Sequence, residues 1–493
     1  MKREHPGSDK LLPAKPRSPQ WDRLIRELGG IVGRENVLSS RRDLLAYSYD
    51  ATPERRLPDA VVFPSSAREI AAVMKLARRE GLPVIPRGAG TNLSGGTLPL
   101  RGGIVLGLAR LNRILNIDIA NQRVVVEPGV INLDLQNALA PLGYTFAPDP
   151  ASQKASTLGG NVGEDAGGPH CLKYGVTTNH VLGMELVLVD GEIVEAGGAL
   201  EDNPGYDLAG VMVGSEGTLG VITQLVLRII RLPEAYQTML AVYETLEDAG
   251  QTVSDIIAAG IIPATLELMD KPVLRAVEES VHAGYPTDAE AVLLIEVDGI
   301  RDGLERQAQQ ISEFCQSNRV REVRLARTAA ERDGMWAGRR GAFGSVARVR
   351  PAYRQQDGTV PRTRLVEMLG RVRKIVADHN LIVGNVAHAG DGNLHPLIMF
   401  DDADADESAR VERAGKQILA ECVKLGGTLT GEHGIGLEKR ELMPLLFSET
   451  SLWAMKRVKE AFDPEGVLNP DKIFPLGPAA EPASSAETRE VAS

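Results

Sequence analysis

Two of the eight histidines in this 493-residue chain stand close together, at the ends of segment 388–395, which reads HAGDGNLH. The glycines inside the segment allow the backbone to reverse, so strands ending at His388 and beginning at His395 would aim both imidazoles at one point. Such a pair is able to hold a metal ion, and it is equally compatible with two structural histidines. This segment alone leaves both interpretations open.

The later segment 430–436, TGEHGIG, adds the carboxylate of Glu432 and the imidazole of His433 on a backbone freed by three glycines. Two imidazoles and one carboxylate leave open positions on a divalent ion. The two segments together therefore suggest a divalent metal site with one further imidazole beside it.

Three glycine-dense segments lie earlier in the chain: 87–96 (RGAGTNLSGG), 148–168 and 214–220 (GSEGTLG). The first is not a dinucleotide fingerprint, because Leu93 occupies the place of the third glycine, and a Rossmann NAD site is therefore disfavoured. Its unhindered N–H groups suit a pyrophosphate, although a plain tight turn explains this loop equally well. Three such segments in one region predict an extended ligand lying close to the backbone.

The segment 335–340, MWAGRR, offers guanidinium groups that are able to bind a carboxylate through two hydrogen bonds. A solvated basic face is the alternative, and it is plausible for Arg340, Arg348 and Arg350.

The composition argues against several classes of function. The 55 Lys and Arg against 66 Asp and Glu give a net charge of −11, so no general positive field attracts nucleic acid or an anionic membrane. Cys171, Cys315 and Cys422 lie far apart, which predicts buried thiols in a reducing cytosol instead of a disulfide framework. No apolar stretch resembles a membrane span or an export signal. We therefore expect a cytoplasmic protein.

Local signals predict the elements that position the first glycine segment. Ser66 and Glu69 form a capping box, apolar residues follow at helical spacing, and Gly81 marks the end of the helix. Strands are predicted at 60–63 and 82–86, so a β-α-β unit runs directly into the glycines. Further strands are expected at 103–108 and 123–127, and a hairpin at 184–196.

From about residue 236 the pattern resets to alternating strands and helices, which predicts a sheet covered on one face by helices. The predicted strands are 237–243, 264–269, 291–297 and 321–326, and the predicted helices are 246–259, 272–281, 301–315 and 407–425. No internal repeat is evident, which argues against a solenoid or a propeller.

The motifs, taken in chain order, resemble a known family. PRGAGTNLSGG, VEPGV, segment 148–168 with the KYG after it, and GSEGTLG are similar to the FAD-binding domain of the vanillyl-alcohol oxidase flavoprotein superfamily. MWAGRR, DGTVPR, HAGDGNLHP, GEHGIG and FDPEGVLNPDKIF are similar to the FAD-linked oxidase C-terminal family, which includes dehydrogenases of 2-hydroxy acids. The likeness covers roughly residues 20–475.

The resemblance implies an α+β fold with a two-part FAD-binding domain of the vanillyl-alcohol oxidase type, an α+β substrate domain and a C-terminal segment that closes onto the flavin. We expect these parts at 21–232, 233–445 and 446–475, with disordered tails at 1–20 and 476–493.

The resemblance also places FAD between the two domains, with its pyrophosphate in the first glycine segment. The residues expected to bind FAD are Arg87, Gly88, Ala89, Gly90, Thr91, Asn92, Ser94, Gly95, Pro148, Ser152, Gly160, Asn161, Gly167, Gly168, Glu216, Gly217, Ile222 and Asn469. Some relatives link their flavin to a His in the first segment, where this chain has Gly90. Non-covalent FAD is therefore expected, with His170 and Cys171 as the remaining candidates for a link.

For the metal, the resemblance assigns His388, His395 and Glu432 as ligands of one divalent ion, with zinc as the first choice and manganese or iron as alternatives. His433, beside a ligand but itself free, would accept the hydroxyl proton of the substrate, for which its ordinary pKa near 6.5 is suitable. Arg339 would hold the substrate carboxylate.

These expectations describe an FAD-dependent, metal-assisted dehydrogenase of a small 2-hydroxy acid, glycolate first and D-lactate second. Gln355 stands where relatives acting on 2-hydroxyglutarate carry a lysine for the distal carboxylate, which favours a short monocarboxylate. D-Lactate or D-2-hydroxyglutarate dehydrogenase is the alternative among such enzymes. A non-catalytic flavin-binding electron-transfer subunit and a metal-dependent hydrolase are the alternatives of other classes.

The resemblance also implies partners. Iron–sulfur and second flavin-type subunits are expected to pass electrons to membrane quinone, with at most peripheral association at the inner face of the cell membrane. No nucleic acid partner is expected.

Overall fold

The computed structural model describes residues 19–198 and 204–477. The predicted tails, 1–20 and 476–493, lie outside these residues except at their inner ends, where the first helix already begins at Pro19. The fold is α+β, as predicted, and its elements form an N-terminal half and a C-terminal half that meet along one large cavity.

The N-terminal half contains three sheets. Its helices are α1 (Pro19–Val32), α2 (Arg41–Leu44), α3 (Ala67–Glu80), α4 (Asn132–Leu139), α5 (Leu158–Glu164), α6 (Cys171–Tyr174) and α7 (Leu208–Met212), and its strands are β1 (Val37–Leu38), β2 (Ala60–Val62), β3 (Val84–Arg87), β4 (Ile104–Gly107), β5 (Ile114–Asp118), β6 (Arg123–Val126), β7 (Tyr144–Thr145), β8 (Val181–Val187), β9 (Ile193–Gly197), β10 (Val221–Arg228) and β11 (Ile230–Arg231). The sheet orders are β1-β2-β4-β3, β5-β6-β10-β8-β9 and β11-β7.

The helix α3 forms where the sequence predicts it. The Ser66 hydroxyl accepts a hydrogen bond from the Glu69 N–H, and the helix ends at Gly81 in the left-handed region with φ +63°. Its apolar side packs against β2, β3 and β4. Strand β3, parallel to β4, therefore delivers the chain into the first glycine segment at a fixed point.

The C-terminal half is built on one eight-stranded antiparallel sheet. Its strands are β12 (Ala235–Tyr243), β13 (Thr265–Asp270), β14 (Ala291–Gly299), β15 (Glu322–Leu325), β16 (Ala352–Gln355), β17 (Gly358–Thr359), β18 (Ile382–His388) and β19 (Asn393–Phe400), and its helices are α8 (Leu246–Ala258), α9 (Lys271–Ser280), α10 (Leu304–Ser317), α11 (Ala329–Val346), α12 (Leu365–Asp378), α13 (Ala405–Lys424), α14 (Met443–Leu446) and α15 (Glu449–Phe462). The order is β15-β12-β14-β13-β18-β19-β16, and β17 also pairs with β19.

Helices cover both faces of this sheet, so the prediction of one covered face is wrong. On one face pack α8, α10, α12 and α13. On the other face α9 and α11 pack against Val292, Leu294 and their neighbours. The reason is visible in β14, which carries apolar side chains on both faces of the sheet. Val292 and Leu294 lie on the face of α9 and α11, and Leu293 and Ile295 lie on the other face.

The chain returns to the N-terminal half after α15. The N–H of Val84 donates to the carbonyl of Val467, and the N–H of Asn469 donates to the carbonyl of Val84, both at 2.9 Å. The Lys472 ammonium donates to the carbonyl of Leu98. Within residues 19–198 and 204–477, no helix has both the length and the apolar content to cross a membrane.

Candidate active site at the junction of the two halves

A cavity of about 410 Å³ lies between the first two glycine segments and the helix-covered sheet. The candidate chemical groups from both halves line it together. The lining residues are Gly88, Ala89, Gly90, Thr91, Asn92, Leu93, Thr97, Pro150, Ala151, Ser152, Thr157, Gly160, Asn161, Glu164, Ala166, Gly167, Gly168, Pro169, Arg339, Arg340, Phe343, Tyr353, Gln355, His388, His395, Glu432 and His433.

The predicted metal ligands converge in this cavity. His388 ends β18 and His395 lies in β19, and in this hairpin Val386 pairs with His395, so both imidazoles project from the same face. Nε2 of His388 lies 3.5 Å and Nε2 of His395 lies 3.1 Å from Oε1 of Glu432. The three ligand atoms lie within 4.8 Å of one another. This donor set fits one divalent ion with positions left for substrate.

Glu267, a residue that sequence reasoning missed, orients the predicted metal ligand His388 and the predicted carboxylate clamp Arg339. It lies fully buried in β13, and its Oε1 accepts a hydrogen bond of 2.7 Å from Nδ1 of His388, which leaves Nε2 facing Glu432. Its Oε2 accepts from Nε and Nη2 of Arg339. Burial raises the pKa of Glu267, but His388 and Arg339 lower it further, to about 2.

Arg339 reaches the cavity from α11, as the clamp hypothesis requires, but part of its guanidinium is already used. Its Nε and Nη2 edge faces Glu267, so a substrate carboxylate would have to meet the edge formed by Nη1 and Nη2. The guanidinium also lies 5.5 Å from the ring centre of Phe343, one turn later on the same helix. Arg340 borders the cavity too, but its side chain is exposed, as the alternative of a solvated basic face expects.

A single buried carboxylate holds the segment that carries Glu432 and His433. We call residues 430–433 the TGEH loop. Asp357 accepts from the Thr430 hydroxyl at 2.5 Å and from the N–H groups of the three following residues at 2.9–3.3 Å. The ammonium of Lys439 lies 3.1 Å from the same carboxylate, and both side chains are buried. The TGEH loop is therefore anchored through three backbone N–H groups and the Thr430 hydroxyl, which leaves the side chains of Glu432 and His433 free for the cavity.

His433 lies beside the metal ligands. Its ring stacks on that of His395 at 5.3 Å, and its Nε2 lies 3.8 Å from Glu432. The Gln355 amide nitrogen lies 3.3 Å from this Nε2 and 3.1 Å from Nδ1 of His395. The expectation of an ordinary pKa near 6.5 is wrong, because burial lowers the pKa of His433 to about 4. The imidazole is therefore neutral at pH 7 and able to accept a proton.

The first glycine segment presents its backbone to the cavity. None of the N–H groups of residues 89–95 donates to an acceptor within the described parts of the chain. Gly90 has φ +72°, and a Cβ there would fall 2.1 Å from the guanidinium of Arg87. The side chain of Arg87 is buried behind this segment, and its guanidinium carbon lies 5.7 Å from the ring centre of Tyr47. Unpaired N–H groups beside a glycine turn form an anion site.

Residues 58–197 match the family described as FAD binding domain, and residues 232–473 match the family of FAD linked oxidases, C-terminal domain. The glycolate oxidase subunit GlcD of Bacillus subtilis is 44% identical over 446 residues, which cover 90% of this chain and 95% of that protein. The chain belongs to the FAD-linked oxidase family. The D-lactate dehydrogenase of Anaerostipes hadrus is 35% identical, over 84% of this chain and 89% of that protein.

Solved structures show the same fold for this FAD-linked oxidase. p-Cresol methylhydroxylase with substrate bound superposes with a TM-score of 0.78 at 16% identity, over 94% of this chain and 99% of the other. A 4-ethylphenol oxidase from Gulosibacter chungangensis superposes with a TM-score of 0.77 at 19% identity, over 94% of this chain and 99% of the other. The predicted resemblance and the vanillyl-alcohol oxidase type of fold are therefore confirmed.

The predicted FAD residues of the FAD-linked oxidase occupy three kinds of position. Gly88, Ala89, Gly90, Thr91, Asn92, Ser152, Gly160, Asn161, Gly167 and Gly168 line the main cavity. Arg87, Glu216, Gly217 and Ile222 line a smaller cavity of about 70 Å³, which Gly88 and Gly160 also border. Ser94, Gly95, Pro148 and Asn469 are absent from the linings of both cavities.

Asn469 of this last group and Glu216 support the loops from behind. The Asn469 amide donates to the carbonyls of Gly96 and Glu216, and so joins the first and third glycine segments. The Glu216 carboxylate accepts from the N–H groups of Ile435 and Gly436, just beyond the TGEH loop. Oδ1 of Asn469 and Oε2 of Glu216 are buried without a protein partner. Polar atoms left unpaired beside the glycine segments are consistent with a polar cofactor there.

The two candidates for a covalent flavin link point elsewhere. Nδ1 of His170 lies 2.8 Å from Asp149, and its ring stacks on Trp336 at 5.8 Å. Although burial lowers the pKa of His170, Asp149 and Glu296 raise it to about 10. Cys171 borders a separate cavity behind Glu432. Neither residue lines the main cavity, so non-covalent FAD stays our prediction.

Proposed function

We propose that this chain oxidises a short 2-hydroxy acid to the 2-oxo acid, with glycolate as the first candidate substrate and D-lactate as the second. One observation carries the proposal: His388, His395, Glu432, His433 and Arg339 face a single cavity that the FAD-binding loops also line. A hydrolase would not need those loops. A non-catalytic electron-transfer subunit would not need the convergent imidazoles.

The reaction removes the hydroxyl proton of the substrate, together with one hydrogen and the electron pair that bonded it to the neighbouring carbon. FAD supplies the acceptor for two electrons when it is bound. A divalent ion, zinc as the first candidate with manganese and iron as alternatives, would supply positive charge beside the substrate oxygens. His388, His395 and Glu432 are the residues that would hold it.

Residues of the chain itself would accept the proton and bind the substrate carboxylate. His433, neutral because burial lowers its pKa to about 4, would take the hydroxyl proton on a ring nitrogen. Arg339 would fix the substrate carboxylate, and the buried ion pair with Glu267 keeps the guanidinium in place. Phe343 and Gln355 also line the cavity, and the amide of Gln355 offers no positive charge to a distal carboxylate. The amide at this position favours short monocarboxylates over 2-hydroxyglutarate.

Partner subunits form a further part of the proposal. Relatives of 43–44% identity are named as subunits of glycolate oxidase, so we expect this chain to work in a complex. Iron–sulfur and second flavin-type subunits are our candidates for the electron acceptors. Co-purification under native conditions, followed by identification of the accompanying chains and their iron content, tests this expectation.

The decisive experiment mixes the yellow, metal-analysed protein anaerobically with glycolate, D-lactate, L-lactate and D-2-hydroxyglutarate in turn. We expect glycolate and D-lactate to bleach the flavin at a rate that saturates with concentration, and 2-hydroxyglutarate to do so far more slowly. The His433→Asn variant is the matched control, because it should bind FAD and remain yellow. Protein with a full complement of FAD that none of these acids bleaches would contradict the proposed function.

A further inference from the structure

Glu164 lies inside the FAD site, and the proposed chemistry gives it no task. It ends α5 and lines both the main cavity and the smaller cavity near Glu216. A Cβ placed on Gly96 would fall 2.9 Å from its Oε1, and one placed on Gly434 would fall 2.6 Å from its Oε2. The carboxyl group therefore sits between the first glycine segment and the residue that follows His433.

This carboxyl group has unused hydrogen-bonding capacity. Within the described parts of the chain, its one hydrogen bond with a side chain comes from the Ser94 hydroxyl at 3.5 Å, at the limit of a hydrogen bond. Among residues 19–198 and 204–477, no basic side chain lies within ion-pair distance of it. A second carboxylate lies close instead, because the same Gly434 Cβ would be 2.8 Å from Oε1 of Glu216. The carboxyl group lines both cavities, so a hydrogen-bond partner is able to reach it from within them.

The electrostatics decide what kind of partner fits. Burial and the neighbouring Glu216 raise the pKa of Glu164 well above its ordinary value. The protonated form offers one O–H donor and an acceptor oxygen. Phosphate oxygens are already provided for by the free N–H groups of the first glycine segment, and they would be repelled by an ionised carboxylate. Besides the adenine, the remaining hydrogen-bonding groups of FAD are the hydroxyls of its sugar chains and the amide groups of its flavin ring.

We propose that Glu164 is a cofactor-binding residue, whose carboxyl group hydrogen-bonds to a hydroxyl or amide group of FAD on the side of the cavity that His433 closes. The inference requires FAD binding, which the family establishes, and it is independent of which acid is oxidised. It makes Glu164 a residue that raises the affinity for FAD; a contact to an amide group of the flavin ring would also change the absorption spectrum and reduction potential of the bound flavin.

The test uses full-length protein stripped of FAD and reconstituted with it, and it requires no substrate. FAD affinity is measured by the quenching of flavin fluorescence, and the midpoint potential by chemical reduction in equilibrium with a reference dye. Glu164→Ala should weaken FAD binding at least about tenfold. A contact to the flavin ring would also shift the visible spectrum and the potential, whereas a contact to a sugar hydroxyl would leave both unchanged. Glu164→Gln should stay within about threefold of the parent, because an amide keeps a donor and an acceptor.

The control is Glu127→Gln, which removes another buried acid of the same half that lines neither cavity. It should leave the spectrum and potential unchanged. A Glu164→Ala protein with the affinity, spectrum and potential of the parent would overturn the proposal. A Glu164→Gln protein that binds FAD about tenfold more tightly would also overturn it, because that result indicates an ionised group facing phosphate.

If Glu164→Ala does not fold, Glu164→Asp carries the test. Asp keeps the acid but is one methylene shorter, so it should weaken FAD binding while the circular dichroism stays that of the parent. An unchanged affinity for FAD would again reject the contact. Failure of all 2-hydroxy acids to bleach the flavin would reject the proposed function without affecting these measurements.

Discussion

Replacing Asp357 by Asn tests whether one buried charge positions the metal ligand and the base together. Four donors of the TGEH loop and the Lys439 ammonium meet this carboxylate. An Asn oxygen is able to replace Oδ2, but its NH₂ group would then face the N–H of Glu432, which lies 3.3 Å from Oδ1. Lys439, 1% exposed, would also lose its counter-charge.

Breaking a buried ion pair by neutralising one partner costs about 3–5 kcal/mol. We expect a loss of that size in urea unfolding followed by circular dichroism, together with lower metal content in the folded protein. Lys439→Met should be destabilising as well. The double variant Asp357→Asn/Lys439→Met should cost less than the sum of the two single changes, because it leaves no uncompensated charge.

The effect has a defined pH dependence. Burial raises the pKa of Asp357, but His433 and Lys439 lower it by more, so its pKa lies well below the ordinary value. The stabilisation is therefore complete above the unfolded-state pKa of about 3.9, and it is lost as the pH falls through the folded-state pKa. The difference between parent and Asp357→Asn should accordingly shrink below about pH 4. A loss under 1 kcal/mol at pH 7, with unchanged metal content, would refute this reasoning.

Four further predictions concern the cavity. Gly90→Val should yield colourless protein, because the position has φ +72° and its Cβ would meet Arg87 at 2.1 Å; a yellow product would contradict this. His388→Ala should lower the metal content measured by elemental analysis while FAD stays bound, and metal-free parent with full activity would disprove the metal role. Arg339→Lys should weaken substrate binding by ~1.5–3 kcal/mol in anaerobic titration, and unchanged binding would move the clamp elsewhere. His433→Asn should slow flavin reduction ~10²–10⁴-fold with metal and FAD retained, and a variant reduced at the parent rate would show that the base lies elsewhere.

Local signals made the N-terminal elements and the histidine hairpin predictable. The cap at Ser66 and the stop at Gly81 act within a few residues, so the boundaries of α3 follow directly from the sequence. The second face of the large sheet was missed although α9 was predicted as a helix, because α11, the other helix on that face, packs through Trp336, Gly338 and Ala342 instead of a stripe of large aliphatic residues. Helical periodicity in such a segment is weak.

The groups that hold the site are the ones that sequence reasoning did not find. Glu267 stands in a strand whose residues are all buried, and a charged residue inside such an apolar run is the signal that would have indicated it. Asp357 lies about 75 positions before the loop it anchors, and nothing local predicts that pairing. The depressed pKa of His433 likewise depends on burial that only the assembled halves create.

The return of the C-terminal segment to β3 has a consequence for biosynthesis. Residues 467–473 are synthesised long after both the first and the third glycine segments, yet the Asn469 amide joins these segments, and the Lys472 ammonium donates to the carbonyl of Leu98. Until residues 467–473 have been synthesised, the FAD-binding loops therefore lack the hydrogen bonds that join them. FAD should be held firmly only after this segment has folded back, and a fragment ending at residue 232, our proposed end of the FAD-binding domain, should retain FAD poorly.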